Sequence, residues 1–155
     1  MEDMMIEGVK FKELIMHNDE RGRLMEILRN DDDAYTEFGQ VYMTTNYPGI
    51  VKAWHCHEKQ TDYVTCISGM IKLALYDGRK ESSTYRSVEE LFIGDHKKRM
   101  VIIPPGVYHG WKNIGTDESI VVSVITRTYN PENPDELRLP YDTDKIPYSW
   151  EVKMG

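Results

Sequence analysis

The sequence has little of what marks secreted or membrane-spanning proteins. It contains only two cysteines, Cys56 and Cys66, which are too few for a disulfide framework. No apolar run approaches the roughly 20 residues that a membrane helix needs. The opening segment MEDMMIEGVKF is neither basic nor apolar, as a targeting segment would be. These absences predict a cytoplasmic protein that does not insert into a membrane.

Positive charge is also scarce. The 155 residues include 19 Lys and Arg against 26 Asp and Glu, which gives a formal net charge of −7. An acidic protein lacks the positive face that nucleic acids and anionic membranes require, so neither is expected as a partner. An anionic small molecule can still bind where a few Lys and Arg side chains converge.

Short strand-like runs, separated by Gly, Pro, Asp and Asn, dominate what is present. Strands are predicted at residues 39–46, 50–57, 61–68, 70–77, 100–104 and 119–129. The segments DAYTEFG and SVEELFIG are predicted to form single helical turns. Many short strands with regularly spaced turns indicate an all-β barrel or two-sheet jelly roll, here a single domain over residues 1–155. The aromatic-bearing tail NPENPDELRLPYDTDKIPYSW is expected to wrap over the barrel in an ordered form.

The stretch WHCHEKQTDYVTCISG, residues 54–69, holds two histidines one residue apart. Side chains alternate along a strand, so His55 and His57 point to one face while Trp54 and Cys56 point to the other. By itself this pattern is typical of two solvated strand histidines. Their meaning therefore depends on which other polar residues the fold brings to the same face.

Two spaced motifs carry those further residues and resemble the motifs of the cupin superfamily. The first motif runs Gly49, His55-x-His57, Asp62 and Gly69, and the second runs Pro104-x-Gly106-x-x-His109 and then Asn113. The superfamily usually has Glu at the position of Asp62. The resemblance implies a cupin-type double-stranded β-helix, or jelly roll, with three imidazoles and a carboxylate converging inside it.

Further segments resemble the dTDP-4-dehydrorhamnose 3,5-epimerases, the nucleotide-sugar branch of the cupins. DERGRLMEIL resembles their D-x-R-G motif, FGQVYMTT their F-x-Q strand, KAWH their R-G-L-H strand, YNPENPDE their Y-x-P-x-x-E segment, and DTDKIPYSW their closing D-P-x-I-x-I-x-W. The resemblance implies an isomerase, an epimerase of a 4-keto-6-deoxy sugar nucleotide. It also implies a homodimer that uses neither a metal nor another cofactor.

The resemblance also implies a role for individual residues. His55 would be the catalytic base and Tyr129 the catalytic acid. A neutral imidazole can remove a proton next to the C4 ketone when the enolate is stabilised, and a phenol on the opposite face can return it with inversion. The positions expected to bind substrate are Arg21, Gln40, Lys52, His57, Gln60, Asp62 and His109. The acid that orients His55 is left open between Asp142 and Asp144.

Departures from the family pattern keep alternative functions open. Family epimerases usually have Gln at the position of His57 and a Lys near the enolate where this chain has Asp62. A carboxylate there would oppose a developing enolate, so epimerisation at one carbon or 3,4-ketoisomerisation are alternatives. A third reading takes His55, His57, Asp62 and His109 as ligands of Fe, Mn, Ni or Zn. A fourth is a cupin that binds sugars without catalysis.

Overall fold

The computed structural model describes residues 2–3 and 5–155, and strands account for its regular structure. They are β1 (Glu2–Asp3), β2 (Lys10–Glu13), β3 (Met16–Asp19), β4 (Gly22–Met25), β5 (Gln40–Asn46), β6 (Val51–Cys56), β7 (Asp62–Ser68), β8 (Met70–Asp77), β9 (Val88–Gly94), β10 (Arg99–Ile103), β11 (Val107–Asn113), β12 (Ser119–Ile125) and β13 (Leu137–Arg138). Within the described ranges, no helix has the length and apolar character needed to cross a membrane.

Two antiparallel sheets enclose the core. The six-stranded sheet has the order β1-β2-β10-β7-β12-β5, and the five-stranded sheet has the order β13-β6-β11-β8-β9. Strands β3 and β4 form a separate hairpin. Buried aliphatic side chains from both sheets meet between them, among them Val64 and Val101 from one sheet and Leu73 and Ile93 from the other. This arrangement confirms the predicted all-β, two-sheet jelly roll.

The strands predicted from residues 39 to 129 appear as β5 to β8, β10 and β12, but SVEELFIG was predicted wrongly. It forms strand β9, in which Leu91 and Ile93 are buried and Phe92 is half exposed. That alternation matches a strand, and pairing with β8 satisfies the backbone. DAYTEFG does not form the predicted helical turn either: the Tyr35 N–H donates to the Asp32 carbonyl in a non-helical turn, and residues 35–39 have no regular structure.

The carboxyl-terminal tail covers the outer face of the five-stranded sheet, as predicted. Trp150 and Ile146 are 6% and 2% exposed and pack against Trp54, which is 1% exposed. The ring centroids of Trp54 and Trp150 are 5.1 Å apart. Strand β6 therefore buries its outward side chains under the tail and is left with its histidines facing inward.

Candidate active site

A cavity of about 420 Å³ opens on the inner face of the five-stranded sheet. Its lining comes from β5, β6, the β6–β7 loop, β11, the end of β12 and the segment from there to β13. The lining residues are Gln40, Tyr42, Thr44, Lys52, His55, His57, Gln60, His109, Trp111, Ile125, Thr128, Tyr129, Asp135, Glu136 and Arg138. Most of the positions predicted to form the site meet here. Of the predicted substrate contacts, Asp62 and Arg21 do not line the cavity.

Arg21 was predicted to bind substrate, but it lies away from the cavity of its own chain. It follows β3 in the exposed β3–β4 hairpin, where its side chain is 86% exposed and forms an ion pair of 2.6 Å with Asp19. Its Nε and Nη2 atoms donate to the exposed Asp19 carboxylate. Within its own chain, Arg21 is not among the residues that line the cavity.

The register of two strands places the histidines together. His55 on β6 lies directly opposite His109 on β11, and their ring centroids are 6.4 Å apart. Gly110 permits this close pairing, because an added Cβ would lie 2.3 Å from the Cβ of Ala53. The turn before β11 contributes as well, since the Gly106 N–H donates to the His57 carbonyl at 2.7 Å. Both predicted histidine motifs thus position the same cavity wall.

Glu136 is the carboxylate that orients His55. The Nδ1 atom of His55 donates to Glu136 Oε1 at 3.1 Å, so the Nε2 atom keeps its lone pair in the neutral tautomer. Burial, and then the electrostatic effect of the neighbouring His109, lower the pKa of His55, and Glu136 offsets this only in part. Neither Asp142 nor Asp144, the two candidates from the sequence, makes this contact.

Asp62 lies behind two histidines and is 2% exposed. Its Oδ2 atom accepts from the Nε2 atoms of His57 and His109 at 3.3 Å each, and Oδ1 accepts from Gln60 at 2.6 Å. Burial alone would raise the pKa of Asp62, but the hydrogen bonds from His109 and His57 hold it well below its usual range. The carboxylate therefore stays ionised without facing the cavity.

His57 has an oxygen acceptor at each ring nitrogen. Its Nδ1 atom donates to the Asp135 carbonyl at 2.5 Å while its Nε2 atom faces Asp62. Burial alone would lower the pKa of His57, but the hydrogen bond to Asp62 and the charge of that carboxylate raise it to about 9. Two acceptors require two ring hydrogens, so His57 presents an imidazolium to the cavity at neutral pH.

Within the described part of the chain, the side chains of His57, Asp62 and His109 form a group that could hold a metal ion. One donor atom from each of His57, Asp62 and His109 lies within 4.8 Å of the others. The fourth ligand expected from the sequence, His55, lies outside this group. The chain thus offers two imidazoles and one carboxylate in place of the four-ligand cage.

Tyr129 lies beyond the end of β12 and lines the cavity with about half of its surface exposed. Its backbone N–H donates to the Gln40 Oε1 atom at 2.8 Å, which fixes the chain where it leaves the strand. A second phenol, Tyr42 on β5, lines the same cavity. Burial, and then the charge of Asp62, raise the pKa of Tyr42.

The dipeptide Asp135-Glu136, which sequence reasoning did not assign to the site, ties the segment after Tyr129 to the histidine loop. The Asp135 carboxylate accepts the backbone N–H groups of residues 58, 59 and 60 at 2.7, 3.0 and 3.0 Å. Arg138 was also missed, and it donates to Glu136 Oε2 at 2.8 Å. These residues belong to YNPENPDE and the strand after it, so the resemblance of that segment was the available signal.

Comparisons with known proteins agree with this geometry. A family model described as dTDP-4-dehydrorhamnose 3,5-epimerase matches residues 3–154. The spore coat polysaccharide biosynthesis protein SpsL of Bacillus subtilis is 37% identical over 150 residues, covering 97% of this chain and 99% of that protein. The probable low-salt glycan biosynthesis epimerase Agl13 of Haloferax volcanii is 38% identical over 151 residues, covering 96% and 97%.

A solved structure extends the similarity to three dimensions. The crystal structure of a dTDP sugar isomerase from Desulfovibrio desulfuricans G20 matches with a TM-score of 0.89 at 30% identity. The match covers 94% of this chain and 92% of that one. Together with the family match, it confirms the cupin-type fold expected from the two histidine motifs.

Proposed function

The chain belongs to the dTDP-4-dehydrorhamnose 3,5-epimerase family, an isomerase family, and on that premise we propose that it inverts one or both carbons beside the ketone of a 4-keto-6-deoxy sugar nucleotide. The observation that carries the proposal is a neutral base and a phenol in one cavity. His55 is held there by Glu136, and Tyr129 lines the same space.

His55 is the proposed base. Its Nδ1 hydrogen is engaged by Glu136, so the Nε2 lone pair is the atom that would take a proton from the carbon next to the ketone. Its lowered pKa keeps the imidazole neutral at neutral pH, which a base requires. The electron pair of the broken C–H bond moves onto the ketone oxygen and forms an enolate.

His57 is the proposed stabiliser of that enolate. The family's lysine is absent, and a carboxylate stands at Asp62 in its place. Asp62 is buried behind the ring of His57, so the group that lines the cavity is the imidazolium and not the carboxylate. A fixed positive charge in a partly dehydrated site stabilises a developing oxyanion. Both ring N–H groups of His57 are engaged, so it would act on the enolate through its charge, which the Asp62 carboxylate behind it offsets in part.

Tyr129 is the proposed acid, and two cations are proposed to bind the diphosphate. A phenol is protonated at neutral pH and can donate that proton to the enolate carbon from the face opposite His55, after which proton exchange with solvent restores the phenol and the neutral imidazole. Lys52 and Arg138 both line the cavity. Lys52 Nζ donates to the Thr45 carbonyl at 2.6 Å, which leaves two of its hydrogens for an anionic ligand. These cations supply the local positive charge that the acidic chain otherwise lacks.

The proposed reaction is tested by isotope exchange. We expect the protein in D2O to place deuterium at C3, C5 or both in dTDP-4-keto-6-deoxyglucose, followed by NMR. The same sugar nucleotide with its ketone reduced is the matched control and should take up none. A product with its ketone moved to C3 would indicate ketoisomerisation. Binding of the sugar nucleotide without any deuterium exchange would indicate a sugar-binding cupin and would contradict the proposal.

A second candidate function is metal-dependent chemistry, which the clustered donors of His57, Asp62 and His109 favour. Metal at these atoms would require His57 to lose its ring hydrogen, and the imidazolium would be lost. Elemental analysis of the purified protein, with activity measured after chelation, separates the two. Stoichiometric metal whose removal abolishes activity and whose return restores it would assign the reaction to the ion.

We also propose that the protein acts as a homodimer. Strand β5 is the edge of the six-stranded sheet, and its outward side chains Val41 and Met43 are 53% and 62% exposed. An exposed strand edge with apolar side chains is a surface that a second copy can cover. Light scattering after size exclusion should give twice the chain mass, and a Val41→Lys, Met43→Lys variant should give monomers.

A dimer would also decide the role of Arg21. Since this side chain is far from its own cavity, it can contact substrate only in another chain. Mixing an Arg21→Ala variant with an inactive His55→Asn variant tests this, because each mixed dimer would then contain one site with both residues intact. Activity that returns on mixing would support a contact between Arg21 and the substrate of the other chain. If no activity returns, the role of Arg21 is limited to its ion pair with Asp19.

A further inference from the structure

A second cavity, which no step of the proposed reaction uses, lies on the outer face of the five-stranded sheet. Its volume is about 510 Å³. Lysines 72, 112 and 153 line it together with Glu90 and Phe92. Lys72 and Lys112 alternate along β8 and β11 with side chains that face the inner core, so this cavity and the proposed active site lie on opposite sides of one sheet.

Two of these lysines are direct cross-strand partners. Lys72 on β8 pairs with Lys112 on β11, and like charges placed directly opposite destabilise a sheet. The Nζ atom of Lys72 donates to the carbonyls of Trp150 and Glu151 at 3.3 and 3.0 Å. The Nζ atom of Lys112 donates to the same Trp150 carbonyl at 3.0 Å. Both ammonium groups thus converge on the Trp150 carbonyl, and both lysines line the cavity.

Their charge is not neutralised within the described residues. Lys153 pairs with Glu90 at 2.6 Å, but neither Lys72 nor Lys112 forms an ion pair with any carboxylate that the structure describes. Lys72 is only 4% exposed, and burial lowers its pKa, with nearby Glu90 opposing the effect. Backbone carbonyls engage two of the hydrogens of Lys72 Nζ, which also lies 5.7 Å from the centroid of the Tyr148 ring, whereas Lys112 Nζ donates to the Trp150 carbonyl and has two further hydrogens. Three lysines against one glutamate leave a surplus of two positive charges around this space.

We propose that this cavity binds a phosphate group through Lys72 and Lys112. Two converging ammonium groups match the charge of nearly −2 that a phosphate monoester carries at neutral pH, whereas a carboxylate would neutralise only one. The walls beside the lysines are apolar: Phe92, Ile114 and Val152 are 50%, 38% and 63% exposed. The ligand is either free phosphate or the phosphate of a small ester whose body rests on these side chains.

The test is a titration of the full chain, labelled with ¹⁵N, with inorganic phosphate and separately with phenyl phosphate. Sodium chloride at matched ionic strength is the control. We expect the amide signals of Ile114, Gly115 and Val152 to shift and to saturate with phosphate but not with chloride. Tighter binding of phenyl phosphate would identify an ester as the ligand, and equal binding would identify the free ion. Both results support the site.

Matched variants at an exposed position avoid unfolding the tail. Val152→Glu introduces a competing carboxylate at the edge of the cavity and should raise the dissociation constant for inorganic phosphate about tenfold or more. Val152→Gln should leave the dissociation constant for inorganic phosphate unchanged. Lys52→Met, in the other cavity, should also leave these shifts unaltered. Shifts that never saturate, that chloride reproduces, or that are equal in the two Val152 variants would overturn the proposal and leave the lysines only the role of holding the tail.

Discussion

The inner and outer faces of the five-stranded sheet are carried by the same strands, yet they are built on different principles. On β6, His55 faces the inner cavity with 28% of its side chain exposed, while its neighbour Trp54 is 1% exposed beneath the tail. The inner side chain is held by a hydrogen bond to Glu136. The outer one is held by packing against Tyr148 and Trp150 at centroid distances of 5.7 and 5.1 Å.

Along this single strand, the inward side chain serves the proposed reaction, and the outward side chain serves the stability of the fold. Hydrogen bonds fix the direction and charge of a side chain but contribute little net stability, whereas burial of large aromatic rings contributes several kcal/mol. Substitutions on the inner face should therefore change the reaction and leave folding intact. Substitutions on the outer face should have the opposite effect.

The largest expected effect is on the inner face. His55→Asn keeps a polar side chain of similar reach but removes the proposed base, so we expect the rate of deuterium exchange to fall by about 10³- to 10⁴-fold. The midpoint of thermal unfolding should stay close to that of the unaltered protein. Exchange that survives this substitution would show that His55 is not the base.

The next effect is on the outer face of the same strand. Trp54→Ala leaves a cavity beneath the tail and should lower the free energy of unfolding by about 3–5 kcal/mol, measured by urea denaturation. Trp54→Phe refills part of the space and should cost clearly less. If the folded fraction of Trp54→Ala loses as much activity as His55→Asn, the separation between the faces does not hold.

Tyr129→Phe sharpens the comparison within the inner face. It keeps the ring but removes the proton that would complete inversion, so we expect about 10²-fold less inverted product while exchange through His55 continues. Tyr42→Phe removes the other phenol of the cavity and is the matched control. Should Tyr42→Phe block inversion while Tyr129→Phe does not, the acid has been assigned to the wrong tyrosine.

The smallest effect concerns the partner of the base. Activity needs neutral His55, so the rate should fall as the pH drops through the pKa of His55, which lies below the ordinary imidazole value of about 6.5. The negative charge of Glu136 raises that pKa. Glu136→Gln should therefore move the acid limb of the pH profile to lower pH and slow the reaction about tenfold at neutral pH.

Glu132→Gln, an exposed position in the same segment, is the control for this experiment. It removes one negative charge without touching His55 and should leave the profile unchanged. An acid limb that moves to higher pH in Glu136→Gln, or one that moves equally in both variants, would mean that Glu136 does not set the pKa of the base.

Strand alternation and motif spacing were enough to predict most of the fold and the composition of the cavity wall. The pattern of His55 and His57 against Trp54 and Cys56 depends only on the two-residue period of a strand, which is a local property. The strand at β9 was missed because VEELF has no clear alternation of polar and apolar residues. Only pairing with β8 identifies it as a strand.

The identities of the contacts between distant segments could not be read in the same way. Glu136 is 81 residues from His55, and Asp135 is 78 residues from His57. Several acids in the tail have suitable chemistry, and from sequence alone the candidates were Asp142 and Asp144, without Glu136. The choice depends on where β13 pairs with β6, which places residue 137 opposite residue 56.

Sequence alone thus determined the positions of six strands, the faces of β6, and the presence of a histidine-rich cavity with an acidic residue near it. Only the tertiary structure decided how Asp62 affects the charge that an enolate would meet. From sequence it was a carboxylate that would oppose an enolate, whereas in the fold it lies behind His57 and keeps that ring protonated. The reason is physical: residue type fixes a charge, but depth and hydrogen-bond direction decide which group presents that charge to a ligand.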